Sequence, residues 1–204
     1  AGQRLSFHPG PFNCLASPNK ATVDKTITEL DAHALQMDLM GLPASHRAKI
    51  NIHVGGAYGE HDKAMQRFCN NFARLGATTR ARLTVENDDK PSMFSTKMLY
   101  DGVSKRIGIP IVFDSHHHEL GPQDASYHDA FYLARDTWNA VKVKQQCHHS
   151  NSKKNYEDKS VRASAHSDWY YTPFENHGEP VDVVLECKKK EQALFKYRKD
   201  FACA

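Results

Sequence analysis

The sequence predicts an α/β fold, a TIM-type (β/α) barrel of which six of the eight strands are visible. Three observations predict it. Six short apolar runs each end in a residue able to bind a metal: Leu5–His8, Ile50–His53, Ala81–Glu86, Ile111–Asp114, Val141–His148 and Val181–Glu186. The terminal residues are 45, 33, 28, 34 and 38 positions apart. A strand, a loop, a helix and a second loop need about 30 residues or more in a βαβ unit. Most of the intervals hold apolar residues at helical spacing. Parallel strands with a ligand at every C-terminal tip describe a barrel whose site lies on one face.

Each element has its own justification. Leu5–His8 runs into the stiff, turn-rich His8-Pro9-Gly10-Pro11-Phe12. Ser17 reads as a helix N-cap and Pro18 as the first helical residue. Val23, Ile27, Leu30, Leu35, Met37 and Met40 supply that helix's core face, and Gly41 closes it. Lys49–Val54 is the second strand, followed by the loop Gly55-Gly56-Ala57-Tyr58-Gly59, which lets the backbone approach a ligand. Without a Gly-Lys-Ser/Thr ending it is not a phosphate-binding P-loop. Ala64, Met65, Phe68, Phe72 and Leu75 mark a helix ended by Gly76. The third strand ends in Glu86-Asn87-Asp88-Asp89, where one acid can bridge two metals and most of the others read as capping or surface groups.

Met93, Met98, Leu99 and Val103 mark a helix that stops near Gly108. Ile111-Val112-Phe113 then runs straight into Asp114-Ser115-His116-His117-His118, and carboxylate plus imidazole is metal-ligand chemistry. A helix carrying Tyr127, Phe131 and Trp138 follows. In the polar strand ending at His148, adjacent side chains face opposite ways, so Cys147 is a packing residue. Residues 149–179 form a long connection without periodicity, bearing Lys153, Lys154, Lys159 and Arg162 and then Ala165–Tyr171. Basic residues interleaved with aromatics suit a nucleic-acid strand; an ordinary solvated loop is the alternative. A strand to Glu186 and a basic helix, Lys188–Phe201, close the chain.

The 204 residues, 40% hydrophobic and 25% charged, suit one globular domain over 1–204. No stretch has the length of a transmembrane helix, and no signal peptide precedes the first strand. A net charge of +3 does not by itself imply nucleic acid. Five scattered Cys without a C-x-x-C read as reduced thiols, which predicts a cytoplasmic (nucleoid) or nuclear protein, not a secreted one. A complete eight-fold barrel takes roughly 250 residues. The sequence opens almost inside its first strand, so the first two βα units are expected to be absent, with Ala1-Gly2 reading as a cut.

His8-Pro-Gly10, Ile52-His-Val-Gly-Gly56, Val85-Glu-Asn-Asp88, Phe113-Asp-Ser-His-His-His118, Ala165-His-Ser-Asp168 and Leu185-Glu-Cys-Lys-Lys-Lys190 resemble the UV damage endonuclease family. Ser17-Pro-Asn19 and Glu191-Gln-Ala193 also look like that family, and the resemblance runs from residue 3 to about 200. It implies a TIM barrel related to the endonuclease IV type of abasic-site nuclease. It implies cleavage of damaged duplex DNA on the 5′ side of UV photoproducts, leaving a 3′-hydroxyl and a 5′-phosphate. A monomer acting on double-stranded DNA is expected, with two or three divalent metals, commonly manganese, with zinc, cobalt or magnesium as alternatives. Carried over by motif, His8, His53 and Glu86 hold one metal. Glu86, Asp114, His148 and Glu186 hold a second, and His117 and His166 belong to a third. Glu86, Asp114 and Glu186 are the catalytic carboxylates. His148 is taken over His149 on the His-x-Ser match and strand alternation; His116 and His118 are secondary candidates, and His33, His46, His61, His128 and His177 match nothing.

Pro11, Phe12, Asn13, Gln146, Lys153, Lys154 and Lys188 are the expected lesion- and DNA-facing residues. Two of these depart from the family. Pro11-Phe12 stand where it has Gln-Tyr, side chains that probe the lesion, and Gln146 stands where it has a Lys near the metals. The first departure bears on lesion choice more than on cleavage. The second bears on metal affinity or preference. An abasic-site endonuclease with the same chemistry and a non-catalytic damage-binding remnant are the competing readings. A metal-dependent sugar isomerase is disfavoured by the His-Pro-Gly and Ala-His-Ser-Asp motifs.

Overall fold

The computed structural model describes residues 3–201, so the expected cut at Ala1-Gly2 lies outside the described residues. Five strands, β1 (Ile50–Ile52), β2 (Leu83–Glu86), β3 (Ile111–Asp114), β4 (Gln146–His149) and β5 (Asp182–Leu185), pair in chain order. All four pairings are parallel. The expected first strand contributes one parallel bridge, Phe7 to Ile50. Pairing stops there because Pro9 has no N–H to donate and the Pro-Gly-Pro turn leads the chain away. The described residues therefore hold five strands and a bridge where six strands were expected.

The sheet curls. At about 4.8 Å per strand, a flat sheet would separate Phe7 from β4 by roughly 19 Å. Instead the rings of His8 and His148 lie 5.8 Å apart. Arg4 crosses from the first segment to donate to Lys144 O at 2.7 Å and to Asp182 Oδ2 at 3.1 Å. This is a barrel-like closure, and it brings the C-terminal strand ends together around one centre. Among the described strands only β5 is half-exposed along its whole length.

The helices are α1 (Lys20–Leu39), α2 (His61–Phe72), α3 (Ala77–Arg82), α4 (Thr96–Leu99), α5 (Lys105–Ile107), α6 (Ser115–Leu120), α7 (Tyr127–Ala140), α8 (Lys153–Tyr156) and α9 (Lys190–Phe201). A π turn over Tyr100–Ser104 joins α4 to α5, and Gly108 ends them at φ +72°. Four expectations are corrected here. Asn19, not Ser17, caps α1, because its amide oxygen reaches both Ala21 N and Thr22 N, while Ser17 Oγ accepts from Asn19 N in the turn before. Leu35 and Met40 lie off the Val23–Thr26–Leu30–Ala34–Met37 stripe and are exposed. Gly76 begins α3 instead of ending α2. Its N–H, like Thr79 Oγ1, donates to Asp31 of α1, which draws 77–82 into a helix and delays the strand start from Ala81 to Leu83. The strand expected from Val141 starts at Gln146, since Lys142 at φ +55° belongs to a turn. No helix among the described residues is long and apolar enough to cross a membrane.

The helices bury Leu30, Met37, Phe68, Leu99, Phe131 and Ala134 against Ile50, Leu83, Val85, Ile111 and Phe113 of the sheet. Cys147 lies in this core, and Cys14, Cys69, Cys147 and Cys187 are all unpaired. Trp138 donates its indole N–H to Ile111 O at 2.7 Å, fixing α7 on β3. Arg82 is fully buried between α1 and β1, where it donates to Leu42 O, Pro43 O, Ala48 O and Asp38 Oδ1. Arg82→Met leaves these acceptors unserved, and a loss of about 3 kcal/mol is expected in urea unfolding.

Candidate metal centre

Every expected ligand from a strand lies at or beside its C-terminal end. Glu86 and Asp114 end β2 and β3, and His148 is next to last in β4. His53 and Glu186 directly follow β1 and β5, and His8 follows the Phe7 bridge. Asp114 also caps α6, accepting from His117 N at 2.8 Å, and so starts the helical turn that aims His117 inward.

Glu86 is fully buried at the centre. Its Oε2 lies 3.2 Å from His8 Nε2 and 3.2 Å from His148 Nδ1. Its Oε1 lies 3.1 Å from His117 Nδ1 and 3.9 Å from His53 Nε2. Each oxygen thus faces a different pair of imidazoles. Three sets of ligand atoms lie within 4.8 Å of one another: His8–Glu86–His148, His53–Glu86–His117 and Asp114–His148–Glu186. These sets divide the expected residues differently from the motif-based grouping: His8 falls with His148, and His117 falls with His53. His166 joins none of them, its Nδ1 being 4.0 Å from Glu186 Oε2.

The residues fit divalent metal ions. Glu86 Oε1, Asp114 Oδ2 and His148 Nδ1 are buried without an aligned hydrogen bond. His148 Nδ1 is 3.0 Å from Glu186 Oε1, yet off the axis of a bond. Buried polar atoms ordinarily find partners. Here they converge on shared points, and the mixed imidazole–carboxylate set suits Mn, Zn or Co.

Electrostatics support the same reading. Burial alone would lower the His117 and His148 pKa values. The carboxylates outweigh it: Asp114 and Glu86 push His117 up to about 11, and Glu86 and Glu186 push His148 up to about 9 despite Lys49. Burial opposes ionisation of Glu86, but His148, His117 and His8 hold its pKa well below the usual carboxylate range. Without metal, both imidazoles are therefore cationic at neutral pH, and a metal must displace those protons. Metal binding at pH 7 is expected to release roughly two protons, one from each ring, measurable by calorimetry in buffers of different ionisation enthalpy. Affinity should rise with pH. The metal-free fold should behave oppositely. A raised folded pKa gives stability that is complete below about 6.5 and declines as pH rises towards the folded values. Metal-free protein should lose stability from pH 6.5 to 8, before loss of the Lys49 proton, at about 8, begins to oppose the trend.

A second layer holds these ligands, and the sequence reading did not assign it. Asp88, expected as a cap or surface group, is buried with Oδ1 3.1 Å from His53 Nδ1. Asn87 clamps Asp114, donating to its carbonyl and accepting from its N–H, both at 2.9 Å. Asn51 donates to Glu86 Oε2, and buried Lys49 Nζ lies 3.4 Å from His148 Nε2. One signal for the last two was available. Lys49, Asn51 and His53 alternate with apolar Ile50 and Ile52, so all three share the inward face of β1.

His149 faces away from the cluster, with Nδ1 2.7 Å from Ser115 Oγ and its ring stacked on Tyr170. His116 is fully buried, its ring 5.4 Å from that of His166, and His118 packs on Phe113 and Tyr127. The expected DNA-facing residues separate into two groups. Pro11, Phe12, Lys154 and Lys188 are exposed. Asn13 is turned inward, donating to Gly10 O and Glu29 Oε1, and Gln146 is buried in β4 on the same face as His148. Lys153 is engaged by Asp168 at 2.9 Å. The 149–179 connection is ordered by α8, by the Ser152–His166 bridge and by Glu157, which accepts from Asp168 N and Trp169 N. Beside the cluster a cleft of 620 Å³ opens between Pro11, Tyr58, Lys90 and His117.

The chain resembles known proteins over nearly all its length. A sequence model of the family described as UV-endonuclease UvdE matches residues 1–203. A UV DNA damage endonuclease of Bacillus pumilus is 35% identical over 96% of this chain, and one of Bacillus velezensis is 33% identical over 95%. The chain spans 61% and 60% of the lengths of these relatives. The crystal structure of SacUVDE superposes with a TM-score of 0.81 at 32% identity, covering 98% of this chain and 67% of that one. A D-psicose 3-epimerase from Clostridium cellulolyticum shares the fold alone, with a TM-score of 0.56 at 10% identity over 90% of this chain and 63% of that one. With the family's sequence model matching residues 1–203, the chain belongs to the UV-endonuclease UvdE family.

Proposed function

We propose that this protein is a metal-dependent DNA repair endonuclease that nicks duplex DNA on the 5′ side of UV photoproducts, leaving a 3′-hydroxyl and a 5′-phosphate. The observation that carries the reading is Glu86, one oxygen towards each of two imidazole pairs, in a chain of this family. Divalent metals, two or three and manganese first among them, supply Lewis acidity at the phosphate, an ionised water and relief for the leaving alkoxide. Glu86, Asp114 and Glu186 are the catalytic carboxylates, whose charge collects the metals. His8, His53, His117, His148 and His166 are the nitrogen donors. Asp88 and Asn87 fix His53 and Asp114 in place, so that little reorganisation is needed on binding. The cleft beside the cluster, with Lys90 in its lining, takes the phosphodiester, and exposed Lys154 and Lys188 are the further phosphate contacts of this reading. The complete ligand set favours an enzyme over a binding-only remnant.

We read the chain as one barrel domain acting as a monomer. A second substrate class, abasic and mismatched duplexes, is favoured by Pro11-Phe12 in the probe loop. The test is a 5′-labelled duplex with one defined photoproduct, compared with abasic, mismatched and undamaged duplexes, with manganese and with chelator. Metal-dependent cutting immediately 5′ of the photoproduct is expected. Manganese-loaded protein that leaves every damaged duplex intact contradicts the proposal.

A further inference from the structure

We propose that Asn51, locked in one orientation by Thr84, is the positioning residue that makes Glu86 a bridge between two metals instead of a ligand to one. This rests on the metal-site reading above. Asn51, Thr84 and Glu86 are all fully buried on adjacent parallel strands, Asn51 pairing in register with Thr84. Thr84 Oγ1 donates to Asn51 Oδ1 at 2.8 Å. An amide's two ends look alike in shape and differ only in hydrogen bonding. The Glu86 carboxylate can only accept, so it takes the Nδ2–H end, and the Thr84 hydroxyl, by donating to Oδ1 at the other end, holds the amide in that orientation.

That bond has a directional consequence. A carboxylate on a two-carbon stem rotates about its last bond through a broad range. Its four imidazole neighbours, His8 and His148 at Oε2 and His53 and His117 at Oε1, could each meet either oxygen if the carboxylate turned. Among the described residues, Asn51 is the neutral donor to Oε2, and it reaches that oxygen from within β1. With Oε2 held, its remaining lone pair faces His8 and His148, and Oε1 faces His53 and His117. Without the grip, the carboxylate is free to turn both oxygens towards one imidazole pair, which chelates one metal and abandons the other. Asn51 does not touch the reacting atoms. It acts through Glu86, and the property it controls is coupling between two metals.

The test is manganese titration of metal-free Asn51→Leu and Thr84→Val, followed by equilibrium dialysis and electron paramagnetic resonance. Neighbouring Mn(II) ions that share a carboxylate give an exchange-coupled spectrum that isolated ions do not. The parent is expected to bind at least two ions with that signature. In Asn51→Leu the weakest-bound bridged ion should lose about ten- to a hundredfold in affinity, and the coupled signal should vanish while the tightest-bound ion is retained. Thr84→Val, which keeps size and loses the hydroxyl, should give a smaller change in the same direction, and Thr84→Ser should restore the parent. If Asn51→Leu does not fold, Thr84→Val against Thr84→Ser decides the matter. Parent protein that binds less than one ion overturns the metal reading itself. Parent protein that binds two coupled ions, with both Thr84→Val and any folded Asn51→Leu behaving identically, overturns the role of Asn51 alone.

Discussion

Glu86→Gln is expected to reduce nicking by roughly a thousandfold while leaving the protein folded. The carboxylate is fully buried and lies within 3.9 Å of four imidazoles. An amide keeps the shape but offers one acceptor oxygen instead of two and carries no charge. Its NH₂ end would face an imidazole pair that also needs an anion. One of the two metals that Glu86 is proposed to bridge should therefore be lost. The same change removes the main counter-charge of His148, so its pKa should fall from about 9 towards its ordinary value. Nicking and metal content of the purified variant, with thermal unfolding as the control for folding, check all three consequences. Near-parent activity in Glu86→Gln removes the bridge from the account.

The second large effect concerns the Pro11-Phe12 loop. Phe12 is 90% exposed, an unusual place for a large apolar ring. The loop beneath it is fastened: Asn13 N donates to Gly10 O at 3.2 Å, and Asn13 Nδ2 donates to Glu29 Oε1 at 2.8 Å. An exposed ring on a fixed loop beside the cleft suits a wedge between base steps. Unstacking a step costs about a few kcal/mol and least where damage has already broken the stacking, so a wedge selects weak steps without reading base edges. Phe12→Ala should weaken binding of damaged duplex by roughly tenfold, with metal content unchanged. Without the family's Gln, the parent should cut abasic and mismatched duplexes nearly as well as photoproducts. The double variant Pro11→Gln, Phe12→Tyr should sharpen discrimination towards photoproducts. Unchanged discrimination in the double variant, together with parent-like binding by Phe12→Ala, would remove the loop from lesion recognition.

The legible parts of this chain are those set by short-range pattern. A buried parallel strand needs an apolar run, and its end is marked by the first polar residue, so Glu86 and Asp114 could be placed from sequence at the tips of β2 and β3. The first strand failed because Pro9 ends pairing after one bridge, a consequence of backbone donors that apolar periodicity does not register. Gly76 was misread because its N–H is taken by Asp31, 45 residues away. The histidines and carboxylates that gather at the strand tips can be read from the sequence, but their grouping there cannot. His117 meets His53, with ring centroids 5.4 Å apart, only because the sheet curls, and spacing along the chain carries no information on that curl. Lys49 reads as an ordinary charge before a strand, yet it is 1% exposed, since the narrowing barrel leaves its ammonium no route to solvent. Asn13 and Gln146 are a further case in which burial is not legible from residue type. Both are buried, Asn13 in the lining of the cleft and Gln146 on the His148 face of β4.

The central claim is that the histidines and carboxylates at the strand tips form one multinuclear metal centre. Equilibrium dialysis of the metal-free chain against manganese, with metal counted per protein, tests it most directly. The account predicts two or three ions per chain, bound more tightly as pH rises from 6 to 8. Less than one ion per chain at saturating manganese contradicts it.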